Sequence, residues 1–483
     1  MFSRVKNFLF VNSGTKQTIL KNSFWFAFGT TITKVSRAVI IVYVARIIGA
    51  EEYGIFTYAL SIVGIFMLFS DIGLTSILIR ELAKDDEEKK SFLSTITVVK
   101  IIFLVSTIIL AGILGPLVSK FPESGHLIVF ISIFVAMESI RGFFLAITRA
   151  RNKVEKEAGL SIVAELISIT LILILFLKNP TASSLVNAFI IGNILSLILT
   201  VGFLHKSLDG ITRNFKRSLV KPIVRASWPF AIMGVFGIFM TNIDSVMLGF
   251  WNTPATLGLY AAAQKPIGLM YILPAFITVS LFPLFSKLVA NAANHTKKVV
   301  QKSYKVSMSL AIPIVVGGII LAGPLINVTF GQEYSPATLT FQILLITLIV
   351  AFPGAIFSDV LIANDSQKKI LRSSIFGAIT NVGLNILLIP KYGIAGSAIS
   401  TLIAQIVLNG ILYIETHKLY KINLFKGLGK IIFASIIVAL ISYILKIYSV
   451  PLLVIVPACA FAYLLILSLT KDDLILDLKQ ALR

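Results

Sequence analysis

SLVNAFIIGNILSLILTVGFL (184–204) holds 21 residues without one ionisable side chain, and HKSLDGITRNFKRSLVKPIVR (205–225), which follows directly, holds six lysines and arginines. A helix of that apolar length rises about 30 Å, the thickness of a bilayer's hydrocarbon core. Lipid offers no partner to a backbone N–H or C=O, so a run of this kind crosses only as a helix. The same alternation recurs along the chain. It predicts spans near 22–46, 54–79, 91–118, 126–149, 157–177, 184–204, 226–250, 257–284, 304–328, 337–362, 370–389, 392–416, 427–446 and 450–470. The fold class expected is an all-α membrane protein of about fourteen transmembrane helices.

Composition agrees. Of 483 residues 57% are hydrophobic and 13% charged, whereas a soluble domain carries about 25% charged residues. The net charge of +21 is carried by lysines and arginines lying between apolar runs, a placement that points to anionic membrane lipid and not to nucleic acid. Cys459 is the single cysteine and excludes an intrachain disulfide, and the four histidines show no metal-ligand spacing. The first residues, MFSRVKNFLFVNSGTKQ, have no cleavable signal pattern.

Lysine and arginine also orient the spans. With a cytoplasmic N-terminus, 33 of the 43 fall in the tails and loops on that side and 5 in the loops opposite; Lys34, Arg37, Lys100, Arg141 and Lys265 lie inside spans. One missed span would reverse every later loop. The expectation is a multi-pass protein of the cell membrane with both termini cytoplasmic. Trp25, Trp228 and Trp251 stand at span ends, as interfacial anchors do.

Aligning residue 54 with 258 sets GIFTYALSIVGIF (54–66) against GLYAAAQKPIGLM (258–270), with Gly54 on Gly258 and Gly64 on Gly268. The offset of 204 places six spans in each half and leaves two over. The divisions expected are a first lobe over 1–205, a second over 206–418, and two further helices with a tail over 419–483.

Within these spans, ARIIGAEEYGIFTYALSIVGIFMLFSDIGLTSILIREL (45–82), NIDSVMLGFW (242–251), LGLYAAAQK (257–265), FGQEYSPA (330–337) and NVGLNILLIPKYGIAGSAIST (381–401) resemble, in order, the signatures of polysaccharide and O-antigen flippases. That family shares a superfamily with lipid II flippases and multidrug extrusion antiporters. The resemblance implies two six-helix lobes around a central cavity, alternating access, and a polyprenyl-pyrophosphate-linked oligosaccharide as substrate. It also leaves room for other polysaccharide-assembly membrane proteins as partners.

Ionisable residues inside spans each cost roughly 2.5–3.5 kcal/mol at a helix centre, so each needs water, a partner or a snorkelling path. Thr30, Thr33, Lys34 and Arg37 form one polar stripe, read as cavity-lining. Arg141 follows Glu138 by three residues, and a neutralised pair and a substrate contact are both open readings. Lys265 precedes Pro266, which bends its helix. Lys100, nearer a span end, reads as a snorkelling side chain or a functional one. Lys34, Arg37, Arg141 and Lys265 are the candidate pyrophosphate ligands.

Asp244 has no basic neighbour on its own helix, so sodium or proton coupling is one reading and a hydrogen bond to a Ser or Asn the other. The resemblance implies an ion site over Asp244, Asn381, Asn385, Ser397 and Thr401, but Asn385 stands where sodium-coupled relatives carry a carboxylate. No cofactor and no firm metal site are expected. A nucleotide-binding loop and paired external carboxylates are both missing, so an enzyme is not expected; the alternatives are a multidrug antiporter and a membrane glycan polymerase or transferase.

Overall fold

The computed structural model describes residues 10–12, 14–83, 89–208, 211, 213–278, 285 and 293–474. Among them there is no strand. We label the helices α1 (15–48), α2 (50–66), α3 (Leu68–Asp71), α4 (Leu74–Leu82), α5 (Lys89–Val118), α6 (Pro122–Ala150), α7 (Val154–Leu171) and α8 (Ala182–Leu204). The remainder are α9 (Val220–Trp251), α10 (Pro254–Met270), α11 (Ala293–Thr329), α12 (Thr338–Ala363), α13 (367–392), α14 (394–420), α15 (Gly429–Ile447) and α16 (Leu452–Leu469).

Eleven continuous helical stretches among the described residues are long and apolar enough to cross a membrane. The protein is an all-α, multi-pass membrane protein. Two stretches, Gln17–Leu82 and Gln367–Tyr420, have 66 and 54 residues, two to three times what a bilayer core needs. Each contains a glycine with positive φ: Gly49 (φ 79, ψ 173) and Gly393 (φ 54, ψ −130). At Gly393 the chain reverses. A Cβ on Gly396 would lie 2.3 Å from Leu388 O, and Asn381 Nδ2 lies 3.4 Å from Thr401 Oγ1. Residues eight and twenty apart meet in this way only across a hairpin. The eighth expected span, near 257–284, is helical over Pro254–Met270 and ends outside the described residues.

The second expected span, 54–79, is not one helix. Ile72 (φ 36) and Gly73 (φ 85) are left-handed and separate α3 from α4. Asp71 stabilises the restart: Oδ1 accepts from Thr75 N at 2.9 Å and Oδ2 from Thr75 Oγ1 at 2.6 Å. A carboxylate at a helix start satisfies an orphan donor and suits the helix dipole.

Contacts divide the chain into two compact units, Met1–Gly258 and Leu259–Arg483. In the first, Leu74, Ile77, Ile96, Phe143, Ile147 and Ile223 form one buried cluster that joins α4, α5, α6 and α9. Gly54 and Gly258 each allow a close approach. A Cβ on Gly54 would fall 1.8 Å from Pro254 O, and one on Gly258 would fall 1.9 Å from Ala50 O. Residues 50 and 254 are themselves separated by 204, as Gly54 and Gly258 are, so the contact is reciprocal.

In the second unit, α15 and α16 dock on α11. Tyr463 Oη donates to Ser309 O at 2.8 Å, and Lys446 Nζ donates to Ile320 O at 3.0 Å. Beyond the end of α16, buried Asp472 accepts from Lys305 Nζ at 2.9 Å.

Candidate functional site

Arg37 is not the free cation that its surroundings in sequence suggest. From α1 its Nη1 donates to Glu138 Oε1 on α6 at 2.7 Å, and its Nη2 donates to Glu165 Oε2 on α7 at 2.8 Å. Nε lies 3.3 Å from both oxygens of Glu165. Three helices are therefore joined by one planar, charge-assisted fork. Glu165 is the interior partner, its side chain 5% exposed; Arg37 and Glu138 are 33% and 32% exposed.

Arg141 lies on the face of α6 that carries Glu138, three residues on. Because Glu138 turns to Arg37, Arg141 is not neutralised by a hydrogen-bonded pair. It is 8% exposed, and its Nε and Nη1 have no hydrogen-bond partner. Two arginines and two glutamates make the cluster formally neutral, which is how two cations persist at this depth. The donor capacity left over belongs to Arg141.

The polar stripe on α1 divides. Thr33 Oγ1 lies 2.9 Å from Gly29 O and 3.1 Å from Thr30 O, and both threonines line a narrow crevice against Ala158 and Ser161 of α7. A Cβ on Gly29 would meet the Ala158 Cβ at 2.7 Å. This part of the stripe is helix packing, a correction to the cavity-lining reading. Lys34, between them and Arg37, is exposed, and no hydrogen bond or ion pair holds it among the described residues.

Lys100 does not snorkel. It is fully buried, donates to Ser139 Oγ at 2.9 Å, and lies 3.4 Å from Asp71 Oδ2. The carboxylate that restarts α4 is thus also the counter-ion of α5. Nothing periodic in the sequence signals this pairing or that of Arg37 with Glu165, although every member stands out as an intramembrane charge.

Of the other candidates, Lys265 on α10 is half-buried and has an interaction partner. Asp244 is 1% exposed in the first unit and is likewise engaged, so it is not an isolated carboxylate. In the second unit Asn385 Nδ2 donates to Asn381 Oδ1 at 3.2 Å, and Asn381 Nδ2 reaches Thr401 Oγ1 across the α13–α14 hairpin. Ser397, one turn before Thr401, is fully buried with its Oγ unpartnered. Among the described residues no group of three His, Cys, Asp or Glu is placed to hold a metal ion.

Comparison with known proteins places this architecture. The chain is 25% identical over 389 residues to a protein of Haloferax volcanii named probable flippase AglR, covering 78% of this chain and 79% of that one. It is 23% identical over 418 residues to the putative O-antigen transporter of Shigella flexneri, covering 82% and 96%. Its fold is similar to that of a lipid II flippase, MurJ, whose solved structure is described as inward closed, at a TM-score of 0.75 and 19% identity over 93% of this chain and 99% of that one. The family model described as polysaccharide biosynthesis protein matches residues 19–289, more than half of the length, and this chain belongs to that family.

Proposed function

We propose that this protein is a transporter that moves a polyprenyl-pyrophosphate-linked oligosaccharide across the cytoplasmic membrane by alternating access, without catalysing a chemical step. The observation that carries the reading is Arg141, a nearly buried cation with two unpartnered donors inside a membrane-spanning bundle. A pyrophosphate brings about two negative charges into a medium that rejects charge. Charge-assisted hydrogen bonds from a fixed guanidinium replace its lost hydration. Exposed Lys34 adds a second cation on α1. Arg37, committed to two carboxylates, joins only if Glu138, its more exposed partner, yields. Lys265 on α10 is a further candidate cation.

The names flippase and O-antigen transporter among relatives support this substrate class over a glycan polymerase or transferase. The lobes would be residues 1–205 and 206–418, followed by two helices over 419–483, with both termini cytoplasmic as the positive-inside pattern indicates. Membrane lipids surround the protein, and other polysaccharide-assembly membrane proteins are its expected partners. Transport would be coupled to sodium or protons through Asp244, Asn381, Asn385, Ser397 and Thr401, with no cofactor.

The formally neutral Arg37–Glu138–Glu165–Arg141 cluster keeps a second reading, a multidrug antiporter, in play. Reconstitution separates them. Proteoliposomes should translocate a labelled polyprenyl-pyrophosphate oligosaccharide faster than protein-free vesicles and should not exchange a cationic dye for sodium or protons. Dye exchange without translocation of the labelled lipid would establish the antiporter.

A further inference from the structure

The six-cation stretch that follows α8 and runs into the start of α9 has a structure that the transport reading does not use. Arg217, Lys221, Arg225 and Trp228 follow one another at helical spacing and are all exposed. With Phe215 they line an open groove of about 970 Å³. The opposite side of the same turns is fixed. Ile223 is 2% exposed in the cluster with Leu74, Ile77, Phe143 and Ile147, and Leu219 packs beside it. Just before it, Lys216 N donates to Thr95 Oγ1 at 3.0 Å, pinning this segment to α5.

This cluster differs from other cations near helix ends. Lys21 is held by Glu155 at 2.9 Å, Arg149 by Glu157, Lys305 by Asp472 at 2.9 Å, and Lys369 by Glu415 at 2.9 Å. No carboxylate reaches Arg217, Lys221 or Arg225 among the described residues. Three cations with no carboxylate partner among the described residues, on a rigid backing, are a site for an anion, and the neighbouring tryptophan says which. Tryptophan prefers the boundary between headgroups and acyl chains. From Trp228 the three cations lie roughly 5, 10 and 16 Å further out along the helix, within the headgroup layer and the field above an anionic leaflet. Trp228 and Phe215 offer apolar surface to the glycerol and upper acyl chain.

We propose that this face binds the phosphate headgroup of an anionic phospholipid, of the phosphatidylglycerol type, and so fixes the start of α9 to the leaflet on the lysine- and arginine-rich side. The proposal is independent of what the protein transports.

The test uses full-length protein in which Trp25→Phe and Trp251→Phe leave Trp228 as the one tryptophan. Brominated lipid quenches a tryptophan it touches. Brominated phosphatidylglycerol should quench Trp228 at a mole fraction about tenfold or more below that needed of brominated phosphatidylcholine, given three cations near the surface. Replacing the cations together (Arg217→Gln, Lys221→Gln, Arg225→Gln) should remove the preference. Lys297→Gln with Lys298→Gln, exposed cations elsewhere in the chain, should leave it intact. The same preference in the triple variant, its loss in the Lys297/Lys298 control, or displacement of the lipid by millimolar inorganic phosphate would each overturn the assignment.

Discussion

Arg37 Nη1 lies 2.7 Å from Glu138 Oε1, joining residues 101 apart in the chain. The same guanidinium holds Glu165, 128 residues away. A residue that looks like a substrate ligand is therefore first the tie between α1, α6 and α7, and the two roles have different mutational signatures.

Removing the tie leaves Glu165 buried without its cation. Arg37→Ala should lower stability by about 2–3 kcal/mol, less than the about 3–5 kcal/mol of a fully buried pair because Arg37 is a third exposed. Arg37→Ala combined with Glu165→Gln should recover most of that loss. Thermal unfolding in detergent reads both variants, and a parental melting temperature for Arg37→Ala would show that the fork carries no structural weight.

The reciprocal glycine contact makes a sharper structural prediction. Gly54→Ala and Gly258→Ala each drive a Cβ into a backbone carbonyl, and small residues at such crossings are what let membrane helices approach. Each should cost about 1–3 kcal/mol. Gly142→Ala, where a Cβ meets nothing within 4 Å, should be neutral or slightly stabilising. Equal melting temperatures for all three would contradict the close approach.

How much of this is legible in the sequence depends on whether the signal is local. Span positions follow from hydropathy within about twenty residues, and α5, α6 and α8 lie where they are expected. The break at Ile72–Gly73 is hidden because MLFSDIGLTSILI stays hydrophobic on average through it, and the Asp71–Thr75 cap explains the restart. The intramembrane charges are visible one by one, but their partners are not. Spacing alone leaves Arg141 open between a pair with Glu138 and a substrate contact, whereas tertiary structure gives Glu138 to Arg37 and leaves two Arg141 donors without a hydrogen bond among the described residues. Lys100 looks near enough to a span end to snorkel, until the broken second span delivers Asp71 to it.

Coupling is tested at Asp244. If Asp244 and the Asn381–Thr401 hairpin carry the driving ion, Asp244→Asn should leave a folded protein whose transport no longer responds to an imposed sodium or proton gradient. A gradient response equal to that of the parent would assign Asp244 a purely structural hydrogen bond.

The most direct measurement is the rate at which proteoliposomes translocate labelled polyprenyl-pyrophosphate oligosaccharide with Arg141→Gln in place of the parent, alongside the melting temperature of each. Loss of a charge-assisted contact worth about 1.5–3 kcal/mol slows a step roughly tenfold or more. Arg141 Nε and Nη1 have no hydrogen-bond partner among the described residues, but its charge balances the Glu138–Glu165 pair, so the melting temperatures separate lost stability from lost transport. Glu138→Gln, which leaves Arg37 held by Glu165 alone, should be impaired less than Arg141→Gln. The account predicts translocation by folded Arg141→Gln protein cut at least tenfold; translocation at the parental rate would contradict it.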